Sequence, residues 1–177
     1  EDLAAKEPQQ HERTVFILNC LLGMSLRISE LVADERATPV MGDFRSDSDR
    51  SWWFHVVGKG NKSRVITVSN DMLAALQRYR SWLDLPALPH PGEPTPLIAK
   101  IHGHGPVTST RQIRNLVQMC FDGAHANLVA KGQAEEATEL KAATVHWLRH
   151  TGISEDVKIR PREHVKEDAG HSSMATT

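Results

Sequence analysis

The sequence has 177 residues, 40% of them hydrophobic and 24% charged, which suits one domain with a sizeable core and argues against wholesale disorder. The 21 Lys+Arg nearly cancel the 22 Asp+Glu, which argues against a polybasic coat for nucleic acid or membrane. No run approaches the roughly 18 apolar residues of a membrane span, and Glu1–Pro8 has neither the basic start nor the apolar stretch of a signal peptide. Cys20 and Cys120 sit in apolar segments and fit a reducing cytoplasm. Two counts stand out, ten histidines and a single tyrosine, Tyr79.

Residues 1–12 are polar and read as a lead-in or linker remnant before a domain spanning 13–177. From Thr14 the apolar run through Met24 predicts a buried helix, broken near Gly23 and Ser25 and followed by a second short helix through Leu26, Ile28, Leu31 and Val32. Pro39–Arg50 reads as loop with a short strand at Phe44. The strongest β signal is Trp52–Val57, then Gly58-Lys59-Gly60-Asn61-Lys62, then Ser63–Val68. Two aromatic and β-branched runs around a Gly/Asn turn predict an antiparallel hairpin over about residues 52–68.

Ser69 or Asn70 can cap a helix over Asp71–Asp84, on which Tyr79 is a packing residue. Pro86, Pro89, Pro91, Pro94 and Pro96 make a surface loop that continues through Gly103 and Gly105. Ser109 and Gln112 have capping-box spacing before a helix that buries Ile113, Leu116, Val117 and Phe121. Gly132 separates it from a short piece at 134–141. Thr144 caps a helix over His146–Val157, and Pro161 opens a last one to about Ala169. The fold class expected is α+β, mainly helical, with one small antiparallel sheet.

His146, Arg149 and His150 fall at i, i+3 and i+4, on one helix face. The two histidines have zinc-pair spacing, but Trp147 stands where a zinc hydrolase of that type needs glutamate, and Arg149 would repel a divalent cation. An Arg/His face suits an anion better, since arginine stays charged and grips phosphate oxygens in pairs. The competing view is local hydrogen bonding only. Arg27 could likewise merely pair with Glu30, and a hairpin-tip Lys59 could be a solvated charge.

In order, the segments Leu-Arg-Ile-Ser-Glu-Leu (26–31), Gly-Lys-Gly-Asn-Lys-Ser-Arg (58–64), His-Trp-Leu-Arg-His-Thr (146–151) and Gly-His-Ser-Ser-Met-Ala-Thr-Thr (170–177) closely resemble the catalytic domain of tyrosine recombinases, the phage integrase family. The resemblance runs from about residue 14 to the last. It implies a DNA breaking and rejoining enzyme working through a 3′-phosphotyrosyl intermediate, with neither metal nor ATP and no cofactor. It maps two phosphate-clamping arginines onto Arg27 and Arg149 and the general-acid lysine onto Lys59. His146 would assist proton transfer, and His171 would donate to the phosphate. Lys62 and Arg64 on the hairpin, and Arg111 and Arg114 near a helix start, become candidate DNA contacts; an ordinary solvated charge is the alternative for each.

The resemblance further implies a double-stranded recombination site as partner, a homo-tetramer on DNA in the full-length protein, a separate N-terminal core-binding domain, no membrane, and a cytoplasmic, nucleoid-associated location. Type IB topoisomerases share this active-site logic. Two departures bear on activity. The family has Thr-Gly before Leu-Arg where this sequence has Met24-Ser25, so the turn that aims Arg27 is expected to differ slightly. The nucleophilic tyrosine is expected shortly after Thr177, so these residues alone should bind DNA without cleaving it. A naturally truncated, non-cleaving DNA-binding or regulatory protein is the alternative.

Overall fold

The computed structural model describes residues 8–58 and 61–170. Its first helix, α1 (Pro8–Gly23), is the central post of the domain. Phe16, Ile17, Cys20 and Leu21 form its buried stripe, with successive spacings of one, three and one, as a helix facing a core requires. The helix begins at Pro8, inside the stretch read as lead-in, because proline suits a first turn whose N–H groups have no partner. It is held there by Glu12, which pairs with Arg78 at 2.6 Å.

The chain then reverses. Ser25 adopts φ 49°, and Leu26 N–H donates to the Cys20 carbonyl at 3.2 Å. Where a second short helix is expected, only a single 3-10 turn forms, Ile28–Glu30. The physical reason is Glu30: its carboxylate reaches back to the Arg27 N–H at 2.8 Å, which closes the turn after three residues.

Strands β1 (Phe44–Ser46), β2 (Trp52–Val57) and β3 (Ser63–Val68) form an antiparallel sheet in that order. In the hairpin Trp52 faces Val68 and Val57 faces Ser63. Phe54, Val56, Ile66 and Val68 alternate into the core, and Phe44 packs on Phe54 with centroids 4.7 Å apart. Helix α2 (Asn70–Trp82) starts as expected, with the Ser69 hydroxyl accepting from the Met72 N–H at 3.2 Å. It packs on α1, where Tyr79 stacks on Phe16 at 4.5 Å.

The proline-rich connection is tied down from α2 by a buried guanidinium. Arg80 donates to both Glu93 carboxylate oxygens, at 2.7 and 3.1 Å, and to the Pro86 carbonyl at 2.7 Å. Helices α3 (Thr110–Ala130), α4 (Ala134–Lys141), α5 (Val145–Ile159) and α6 (Arg162–Ala169) complete the domain. Ser109 and Thr144 occupy cap positions without making side-chain cap bonds, and Pro161 is the cap residue of α6 rather than its first residue. Ile113, Leu116, Val117 and Phe121 of α3 are buried as expected.

Helix α5 lies close on α1 because Gly152 faces it; a methyl group there would drive into the Leu22 carbonyl oxygen. Helix α6 packs on β3 as well as α5, which brings the end of the described chain beside the sheet. Mainly helical with one three-stranded sheet, the fold matches the α+β expectation.

Candidate functional site: an arginine cleft

A cleft of about 480 Å³ opens between the Arg27 turn, α3 and the start of α5. Its polar lining includes Arg27, Ser29, Arg114, Gln118, His146 and Arg149. Three segments distant in sequence thus bring their cationic side chains to one concavity. Among the described residues, no group of three or more His, Cys, Asp or Glu could hold a metal ion.

Arg149 is 4% exposed. Its Nη1 donates to the Ser25 carbonyl and its Nη2 to the Ala169 carbonyl at 2.5 Å. Burial, followed by the neighbouring charges of Arg27 and Arg64, pushes its pKa down to about 10, with Glu30 pulling the other way. It therefore stays charged at neutral pH. A buried cation fixed by two carbonyls of opposite origin cannot swing away, which is the preorganisation that anion stabilisation needs.

Arg27 is more open, with its side chain 31% exposed. Its Nη1 donates to Glu30 Oε1 at 3.1 Å and its Nη2 to the Gly170 carbonyl at 3.3 Å. Pairing with Glu30 and lining the cleft are therefore both true of Arg27. His146, on the first turn of α5, is exposed, with its ring edge-on to His150 at 4.9 Å.

Glu30 is the carboxylate behind Arg27, 5% exposed. It accepts from Arg64 Nη1 at 2.7 Å and Nη2 at 2.9 Å, besides the two bonds from Arg27. Burial alone would raise its pKa; the bonds and charge of Arg64, then of Arg27, outweigh that and hold it below the ordinary carboxylate value. The Arg64 side chain, a candidate DNA contact by resemblance, is only 11% exposed, and its Nε donates to the Asp168 carbonyl at 2.7 Å. All three of its nitrogens are engaged, because a β3 residue pointing inward meets the buried Glu30 carboxylate and the Asp168 carbonyl.

Arg114 lines the cleft, whereas Arg111 is exposed on α3 outside its lining. Lys62 is exposed beside the hairpin turn. Lys59 and His171 lie outside the described residues. Tyr79 is fully buried, stacked on Phe16 and Trp82, and its hydroxyl accepts from the Ala99 N–H at 3.4 Å. Burial raises its pKa further. It has no access to the cleft.

The resemblance of Ser25 to a glycine position is met structurally. The backbone takes the left-handed conformation there (φ 49°) despite the side chain, and the Ser25 hydroxyl is buried without a hydrogen-bond partner among the described residues. A serine in this backbone conformation, with its hydroxyl unpartnered, carries local strain.

No protein-family model matches the chain. Tyrosine recombinase XerC of Corynebacterium glutamicum is 29% identical over 179 residues, covering 100% of this chain and 49% of the relative. XerC of Bradyrhizobium diazoefficiens is 30% identical over 172 residues, covering 93% and 44%. The chain thus spans about half the length of the relatives it matches. Among solved structures, XerH site-specific recombinase bound to difH substrate in a pre-cleavage complex superposes with a TM-score of 0.58 at 16% identity, over 95% of this chain and 42% of that one. The Tn1549 transposon integrase in complex with a circular intermediate DNA gives 0.51 at 18%, over 96% and 52%.

The helices and three-stranded sheet define the fold as that of an integrase-type catalytic domain. The chain is a distant homologue of the tyrosine recombinases, related over nearly its whole length to their catalytic domain.

Proposed function

We propose that the chain is a DNA strand-exchange domain whose cleft seats the scissile phosphate of a duplex recombination site. One observation carries this reading: Arg27 and Arg149, 122 positions apart by number, meet with His146 around one cleft, and Arg149 is buried and held by two carbonyls. A phosphodiester in the cleft would present its non-bridging oxygens to the two guanidiniums, which stabilise the added negative charge of a five-coordinate phosphorus without a metal.

In the proposed reaction a tyrosine phenolate oxygen forms a bond to phosphorus as the bond to the 5′ oxygen breaks. The departing 5′ oxygen takes a proton, a role assigned to Lys59 by resemblance. The 3′-phosphotyrosyl ester keeps one phosphoester bond in place of another, so attack by a second 5′-hydroxyl rejoins the strand without ATP. His146 and His171 are proposed to steer the phenol proton and the phosphate oxygen, respectively. Tyr79, the one tyrosine of these 177 residues, is sealed in the core, so the nucleophile of this scheme is a tyrosine outside them. The XerH and Tn1549 structures carry DNA, which supports a duplex partner for this chain. Assembly as a tetramer, with a core-binding domain completing the grip, belongs to the same proposal.

The test is covalent trapping. The complete translation product of the gene, incubated with a nicked suicide duplex carrying its recombination site, should form a protein–DNA adduct that Arg149→Ala abolishes. Retarded duplex without any adduct would instead establish the non-cleaving, DNA-binding reading.

A further inference from the structure

The C-terminal turn of α6 ends in three successive carbonyls, and each accepts a hydrogen bond from a different arginine. Asp168 O takes Arg64 Nε at 2.7 Å, Ala169 O takes Arg149 Nη2 at 2.5 Å, and Gly170 O takes Arg27 Nη2 at 3.3 Å. The last carbonyls of a helix have no intrahelical donors and carry the negative end of its dipole, so three guanidiniums there satisfy both needs. Two of the three line the cleft. Arg64 does not; it stands on β3 and spans from the helix end to Glu30.

We infer that Arg64 is a positioning residue for the phosphate clamp. It works in two ways, both of which rest on the strand-exchange reading for their catalytic meaning. By binding both oxygens of Glu30, it satisfies a carboxylate that would otherwise draw the Arg27 guanidinium fully back and neutralise it. By binding Asp168 O, it fixes the helix end whose next carbonyl orients Arg149. The planar fork of arginine is required, because a lysine ammonium offers a single point and cannot hold a carboxylate in two bonds while reaching a carbonyl on another element.

Gly58 reports the same constraint. A Cβ there would lie 3.0 Å from Arg64 Nη1 and 3.1 Å from Glu30 Oε1, so the start of the hairpin turn rests directly on the pair. Its N–H donates to the Lys62 carbonyl at 2.8 Å, closing the described flanks of the turn over Arg64. The pair therefore joins the Arg27 turn, the hairpin and the end of α6.

The experiment compares the wild-type translation product with Arg64→Lys and, as a second variant that keeps the shape of the acceptor, Glu30→Gln. Side-chain Nε–H signals of Arg27 and Arg149 are followed by ¹⁵N NMR, with Arg80, held by Glu93 elsewhere in the fold, as the internal control for folding. Single-turnover cleavage and duplex affinity are measured in parallel. Expected are displaced Arg27 and Arg149 signals, an unmoved Arg80 signal, and a cleavage rate lower by about a hundredfold at nearly unchanged affinity, the scale of loss that an ångström of misplacement produces. Unmoved Arg27 and Arg149 signals in both variants would overturn the inference. Absence of cleavage by the wild type would defeat the strand-exchange reading, while the NMR comparison would still decide the role of Arg64.

Discussion

Three demands meet at Ser25. Its backbone needs a left-handed turn, its carbonyl is needed by Arg149, and its hydroxyl is buried without a partner among the described residues. Glycine would keep the carbonyl and remove both penalties. Left-handed backbone costs a non-glycine residue about 1–2 kcal/mol and a buried unpaired hydroxyl about 1–3, against the 0.5–1 or so that glycine costs in chain entropy. Ser25→Gly is therefore expected to stabilise the fold by about 1 kcal/mol in urea unfolding, and a destabilised variant would contradict this account of the turn. Glu30 supplies the pH dependence. Its folded pKa lies below the ordinary 4.5, so its contribution is complete above that pH and is lost as pH falls through the folded value. Glu30→Gln should flatten the acid limb of the stability curve below about pH 4.5, read as urea midpoint against pH.

Arg27, Arg149 and His146 were legible because each stands in a short ordered segment whose spacing is visible in the chain. The Glu30–Arg64 bond was not, since its partners are 34 positions apart and a sequence shows the charge of Arg64 but not the side of the strand it occupies.

At the element scale, periodicity located α2 and α3 to within a few residues, because each has one clear apolar face and a turn residue before it. It failed at residues 26–32, where the apolar spacing of Leu26, Ile28 and Leu31 imitates a helix. The Glu30 carboxylate, bonded back to the Arg27 N–H and held by Arg64 of β3, decides that segment, and the result is one 3-10 turn with Arg27 extended at its start. The start of α1 was set too late because Pro8-Gln9-Gln10-His11-Glu12 offers no apolar period to read. Gly152 tests the helix packing that holds Arg149. With its α-carbon against the Leu22 carbonyl, Gly152→Ala must separate α5 from α1, an overpacking that costs about 1–3 kcal/mol. The check is again urea unfolding. An unchanged midpoint would mean that α5 does not lie as close to α1 as described.

For the whole molecule, the near-neutral charge of −1 conceals a local concentration of cations. Arg27, Arg114 and Arg149 share one cleft, and the carboxylate bonded to Arg27, Glu30, is consumed by Arg27 and Arg64. Net charge describes long-range attraction, whereas gripping one phosphate needs only a few fixed donors. The fold converges the α1 exit, α5 and the end of α6 on a single point, with the sheet braced against them through Arg64 and through Arg160, whose Nη2 donates to the Thr67 hydroxyl at 3.3 Å and pairs with Asp168 at 2.6 Å.

The strand-exchange proposal puts a phosphate in this cleft under attack by a tyrosine other than Tyr79. Covalent trapping on a nicked suicide duplex, with the complete translation product, tests it most directly when three proteins are compared. Expected are an adduct for the wild type, an equal adduct for Tyr79→Phe because that ring is buried in the core, and none for Arg149→Ala. An adduct that survives Arg149→Ala, or one that disappears with Tyr79→Phe in a protein that remains folded, would contradict it.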